Sequence, residues 1–163
     1  MAKFEIKVDM KQLEQKIKAT EEQIKKGIEQ GLEVCAEETK KIEQAYIDDS
    51  VGNKTYEPTG MLRKSIKIRD IEWDGDVATV TVYSDKTIAP HAEFVENGTG
   101  IFREDGTGRQ TPWLIYLGQD KDGNDIFRYT RGIEPHYFAR DTKDYMEDKV
   151  RVLIEEEIIK CIR

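Results

Sequence analysis

The chain has 163 residues, 37% of them hydrophobic and 36% charged, and a net charge of -7. That length suits a single domain over residues 1–163 with a modest core, and the acidity is the opposite of the basic face that duplex-reading proteins carry. No apolar run approaches the roughly 20 residues of a membrane span, and Met-Ala-Lys-Phe-Glu-Ile-Lys at the start has no apolar secretion core.

Phe4, Ile6 and Val8 alternate with charged neighbours, the pattern of a short strand with one buried face, and Asp9 with Gln12 makes a capping pair for a helix starting there. From Met10 to about Ile47 the apolar residues keep helical spacing: Leu13, Ile17, Ile24, Ile28, Leu32, Cys35, Thr39, Ile42 and Tyr46. Such a helix spans about 57 Å at 1.5 Å per residue. A compact globule of this size is only about 40 Å across. The helix is therefore expected to break or to overhang its domain, with Gly27 and Gly31 as the expected bend. Cys35 and Cys161 lack CxxC spacing and read as small buried apolar side chains.

Residues Asp48 to Pro58 read as a loop, and Thr59 to Ser65 as a turn or short helix entering a strand. Ile66 and Ile68 share one phase and Ile71 and Trp73 the opposite one, which places a bulge at Arg69-Asp70. Asp74-Gly75 is the expected hairpin turn, with Val77 to Tyr83 returning and Ala78, Val80 and Val82 on one face.

The stretch from Ala89 to Thr111 organises the rest. Pro90 occupies an expected first helical position, Gly98 an expected left-handed cap, and Ala92, Phe94 and Val95 the anchors between them. Beyond Gly98, the glycines 100, 106 and 108 with Arg103, Glu104, Asp105 and Arg109 form a run too polar to fold alone. A loop of that kind suits docking, because it orders against a partner. It is a poor scaffold for catalysis, which needs rigidly held groups. A second hairpin comes next, Pro112 to Leu117 and Ile126 to Thr130, with spare aromatic surface in Trp113, Tyr116, Phe127 and Tyr129. Pro135 is expected to open the last helix, whose stripe is Phe138, Thr142, Met146, Val150, Leu153, Ile154, Ile158 and Ile162.

Catalytic constellations do not assemble from these residues. His91 and His136 form no HExxH pair, and there is no GxSxG elbow. Glu93 and Glu96 lie three apart on one turn and read as solvated carboxylates. Asp120 to Asn124 imitates the start of a calcium loop but puts Asp125 where the glycine belongs and Arg131 where the glutamate belongs. The glycine pairs near residues 98 and 106 have neither nucleotide-loop spacing. No cofactor is expected.

Three short motifs in order, Thr59-Gly60-x-Leu62-Arg63-x-Ser65, Ala92-x-Phe94-Val95-Glu96-x-Gly98-Thr99 and Pro135-x-x-Phe138-x-Arg140, resemble landmarks of a tailed-phage family. The family is that of head–tail connector or tail-completion (neck) proteins, found also in prophages and phage-tail-like bacteriocins. Its usual aromatic before the alanine is His91 here, and its proline-alanine after the arginine is Asp141-Thr142. The resemblance implies an α+β fold, with a long N-terminal helix and a C-terminal helix packed on an antiparallel β-sheet. It implies rings of identical subunits at the head–tail interface or the top of the tail, in a virion or tail-like particle assembled in the bacterial cytoplasm. Expected partners are further copies and neighbouring neck, connector, tail-tube or terminator proteins, with DNA only as passing cargo and no membrane. Glu96, Gly98, Thr99, Phe102, Arg103, Arg109 and Trp113 are the expected docking residues. Two other readings compete: a small metal-dependent hydrolase or nuclease using His91, Glu93 and Glu96, and a monomeric adaptor.

Overall fold

A computed structural model describes residues 10–51 and 60–162, and the expected strand Phe4–Val8, the Asp9 cap and residues 52–59 lie outside that range. In chain order the elements are α1 (Met10–Val51), α2 (Met61–Ser65), β1 (Ile66–Ile68), β2 (Glu72–Asp74), β3 (Val77–Thr79) and β4 (Val82–Ser84). They continue with α3 (Ala92–Asn97), a 3-10 turn (Gly100–Phe102), β5 (Trp113–Gln119), β6 (Asp125–Thr130) and α4 (Phe138–Ile162). The class is α+β: among the described residues there are two long helices and three small antiparallel ladders, β1 with β4, β2 with β3 and β5 with β6.

The helix α1 runs unbroken for 42 residues, four positions beyond its expected end into the expected loop, and is about 63 Å long at 1.5 Å per residue. It lies antiparallel to α4: Gly27 faces Ile158, Gly31 faces Ile154, and the Cys35 thiol donates to the Val150 carbonyl at 3.8 Å. The two glycines, expected to bend the helix, instead let the two backbones meet. A Cβ on Gly27 would stand 2.6 Å from the Ile158 Cα, and one on Gly31 2.8 Å from the Ile154 Cα. Continuing that pairing, Ile162 ends α4 beside residue 23, so the first turns of α1 run past the end of their partner. Lys18 and every residue from Thr20 to Lys26 are exposed there. Overhang, not breakage, resolves the length conflict.

The first hairpin carries the bulge the phase slip required. The register pairs Ile68 with Val82 and then Glu72 with Thr79, leaving three residues opposite two. The Arg69 amide donates to Thr81 O at 2.9 Å across the gap. The bulge lets Ile66 and Trp73, of opposite phase, both face α1: Ile66 is buried in the core, and the Trp73 indole N–H donates to Glu29 at 2.9 Å. The tight turn falls one residue later than expected, at Gly75-Asp76, with Gly75 at φ 59.

Ile47, Leu62, Ile66, Ala89, Ala92 and Phe138 form one buried cluster, with Tyr46, Val82 and Val95 against it. Phe94, an expected anchor, is 48% exposed instead, because on so short a helix Ala92 and Val95 face the core. Two expected helix starts also move. Pro90 lies in the turn before α3, and α4 begins at Phe138, three residues after Pro135.

Candidate docking surface

The junction between α3 and α4 fixes the loop expected to dock. A helix start leaves amide N–H groups without partners, and here Glu96 supplies them from outside the helix. Its carboxylate accepts from the Ala139 N–H at 2.9 Å and the Arg140 N–H at 3.1 Å. The preceding residues return the contact, His136 N–H to Val95 O at 2.9 Å and Tyr137 N–H to Glu96 O at 3.3 Å. Tyr137 is held at φ 49, a conformation a bulky residue adopts only when its surroundings impose it.

Past Gly98 the chain is stitched to residues 131–133. The Thr99 N–H donates to Ile133 O at 2.9 Å, the Ile101 N–H to Arg131 O at 3.0 Å, and the Ile133 N–H to the Thr99 hydroxyl at 3.0 Å. The two strands of chain cross so closely that a Cβ on Gly100 would lie 1.9 Å from Arg131 O, and one on Gly132 1.9 Å from Thr99 O. Glu104 then accepts from the Tyr137 hydroxyl at 2.6 Å and from Arg140 Nη1 at 3.2 Å, while the Arg140 guanidinium stacks 3.3 Å from the centre of the Tyr137 ring. Asp105 accepts from the Thr107 hydroxyl at 2.6 Å and Thr107 N–H at 2.9 Å, and pairs with Arg103 at 2.9 Å. Those hydrogen bonds, with the Arg103 charge behind them, hold its carboxyl down to about 2. The run is therefore not a loop awaiting a partner. Gly100, which suggested floppiness, permits the backbone crossing that orders it.

Each expected docking residue now has a place. Glu96, Gly98 and Thr99 build the clamp. Arg103 is held inward by Asp105 and, at 3.7 Å, by Glu93. Phe102 is exposed beside Ile101. Arg109 stacks 5.6 Å over Trp113 at the root of the second hairpin. Of His91, Glu93 and Glu96, the two carboxylates serve separate purposes: Glu93 pairs with Lys86 and Arg103, each at 3.7 Å, while Glu96 caps α4. Among the described residues no group of His, Cys, Asp and Glu is arranged to hold a metal.

An exposed apolar feature is the arm formed by β5 and β6, which makes few contacts with the other helices and strands. Its register sets Leu114 opposite Tyr129 and Tyr116 opposite Phe127, so all four side chains share one face. They are 50%, 74%, 56% and 54% exposed, and the Tyr116 and Phe127 rings contact each other at 5.5 Å. A bulge at Leu117 ends that face, with Gly118 then paired to Ile126. Surplus aromatic surface was legible in the sequence, but the shared face depends on register.

A recess of about 550 Å³ opens between α1, the β3–β4 strands and α4, with Leu32, Ala36, Ala78, Val80, Met146 and Val150 among its walls. Glu43 is also among its lining residues and is 6% exposed. Burial, and secondarily the Glu96 charge, push its carboxyl up to about 7. Glu43 falls four residues after Thr39 and three before Tyr46, so helical spacing was the signal that could have marked it as a carboxylate on the buried face of α1.

The three sequence motifs meet in space. Leu62, Ala92 and Phe138 share the buried cluster, and the wholly buried Ser65 hydroxyl donates to Leu62 O at 2.6 Å and lies 2.7 Å from the Ser84 hydroxyl. Arg63 pairs with Asp48 of α1 at 3.1 Å. The resemblance thus tracks the core that joins α1, α2, α3 and α4. Comparison with family models returns a match over residues 11–98, more than half of the chain, to the HK97-gp10-like family, described as "Bacteriophage HK97-gp10, putative tail-component". No curated protein and no solved structure matches the chain. The matched span runs along α1 through the capping glycine of α3 and supplies every residue of the buried cluster except Phe138, and the chain belongs to the HK97-gp10-like family of phage tail components.

Proposed function

We propose that the protein acts as a structural subunit at the head-proximal end of the tail, assembling into a ring of copies that completes the tail and joins it to the neck. The observation that carries this reading is the arm face of Leu114, Tyr116, Phe127 and Tyr129, each at least half exposed. A two-stranded ladder is marginal by itself in water, and a solvent-facing apolar surface of this kind marks a site of association. The overhanging start of α1 offers a second surface for neighbours. An acidic chain of net charge -7 also suits a passage for DNA, because phosphates held by few cations slide without retention. The role is mechanical, not catalytic: Glu93 and Glu96, the carboxylates of the competing enzyme reading, are engaged in ion pairing and helix capping. Producing particles without the protein tests this. Unjoined heads and tails, or immature tails, are expected, and normal infectious particles would overturn it.

A further inference from the structure

We propose that Glu43 is a proton-operated latch on the start of α4: with its proton it lets the junction of α3 and α4 stay closed, and without it it opposes the Glu96 carboxylate and loosens that junction. The latch does not depend on the ring reading. Packing brings the two carboxylates to one residue. Glu43 lies one turn before Ile47 on the buried face of α1 and shares the wall of the recess with Ala139, in the first turn of α4. Glu96 reaches the same residue from α3, accepting from the Ala139 N–H at 2.9 Å and from the Arg140 N–H at 3.1 Å. An alanine offers neither a donor nor a charge to separate them.

Glu43 is almost wholly buried, and among the described residues no cation or hydrogen-bond donor is paired with its carboxyl. The Thr39 and Thr142 hydroxyls, which share the recess wall, donate instead to Cys35 O at 2.7 Å and Phe138 O at 2.6 Å. On α4, Lys143 and Glu147 are exposed and opposite in charge, and Arg140 is taken up by Glu104. On α1 the Cys35 thiol, pushed up by burial, stays neutral. The β3–β4 part of the wall, Ala78, Thr79, Val80 and Val82, carries no charge. Glu96 is thus the charge that Glu43 meets. Burial first, and that charge second, keep the proton on Glu43 up to about pH 7. Above it, two like charges face each other where water screens them poorly. Glu96 stands on a six-residue helix and Glu43 on one of 42 residues, so the repulsion is relieved on the α3 side. Withdrawal of Glu96 would release the Ala139 and Arg140 amides, and with them the stitching of His136 to Val95 and of Thr99 to Ile133.

The test is an NMR titration of the full chain from about pH 5 to about pH 9. It follows the Glu43 carboxyl carbon together with the amide order parameters of Thr99, Ile101, Ile133, Ala139 and Arg140. Those order parameters should fall from about 0.85 toward about 0.6, the span from rigid to flexible backbone. Their midpoint should coincide with that of the carboxyl, near 7. The amides of Gly31 and Ile154, where α1 and α4 cross, should not respond. Glu43→Gln keeps the shape and has no charge to gain, so its junction should stay rigid across the range. A carboxyl that titrates near its ordinary 4.5, a junction equally rigid at both ends, or loosening that persists in Glu43→Gln overturns the proposal. Loosening shared equally by Gly31 and Ile154 also overturns it, being general destabilisation. Should Glu43→Gln fail to fold, the parent titration decides alone: different midpoints for carboxyl and junction overturn the latch.

Discussion

Replacing Gly27 and Gly31 by alanine sets two opposed effects against each other. On an ordinary exposed helix each change stabilises by about 1 kcal/mol, since alanine is the better helix former. Here the added methyl groups would lie 2.6 Å from the Ile158 Cα and 2.8 Å from the Ile154 Cα, well inside van der Waals contact. Those atoms are backbone, so no rotamer change on α4 relieves the clash, and the two helices must separate. Overpacking of a tight site costs about 1–3 kcal/mol. At the upper end, after the propensity gain, about 1–2 kcal/mol of net loss remains at each site. For a chain of this size each kcal/mol moves the melting temperature by about 2–4 °C. The double variant should therefore melt roughly 5–15 °C below the parent when monitored by circular dichroism. Adding Ile154→Ala and Ile158→Ala should not restore it, because the clash is with Cα. A double alanine variant as stable as the parent would refute the close-crossing argument.

The same geometry sets three further outcomes. Glu43 has its carboxyl raised to about 7 by burial and by Glu96, so in the folded state it keeps its proton where the unfolded chain has lost it. Its stability contribution is therefore full below its ordinary value of 4.5 and lost as pH rises through about 7. Glu43→Gln should flatten the fall in denaturant stability between those two pH values, and an unchanged pH profile would contradict the burial argument. Glu96→Ala removes the acceptor for two α4 amides and should cost about 1–2 kcal/mol in urea unfolding. A loss under a few tenths would mean that solvent caps the helix equally well. The combined change Tyr116→Ser, Phe127→Ser and Tyr129→Ser removes cross-strand pairs within the arm and leaves the buried cluster untouched, so it should cost no more than about 1 kcal/mol per pair. It should nevertheless abolish joined particles, and normal particle yield from it would detach the arm from assembly.

Local patterning carried most of the fold. The helical stripes, both hairpins and the bulge near Arg69-Asp70 arise from periods of 3.6 and 2, which are properties of neighbouring residues. The errors fall where residues far apart in sequence meet. Gly27 and Gly31 looked like helix breakers because a close helix crossing is invisible without Ile154 and Ile158 beside them. The run after Gly98 looked unfoldable because Arg131, Gly132, Tyr137 and Arg140, which order it, lie about thirty residues downstream. Glu96 was legible as part of a motif but not as the cap of a helix 42 positions further on. The shared apolar face of the arm needed the register, and the recess needed the packing of three elements that no single stretch encodes.

The most direct measurement is to image purified tails by cryo-electron microscopy and locate this chain in them. Several copies, arranged as a closed ring at the head-proximal end, are the predicted result. A single copy, a position elsewhere along the tail, or tails that contain none of the protein would contradict it.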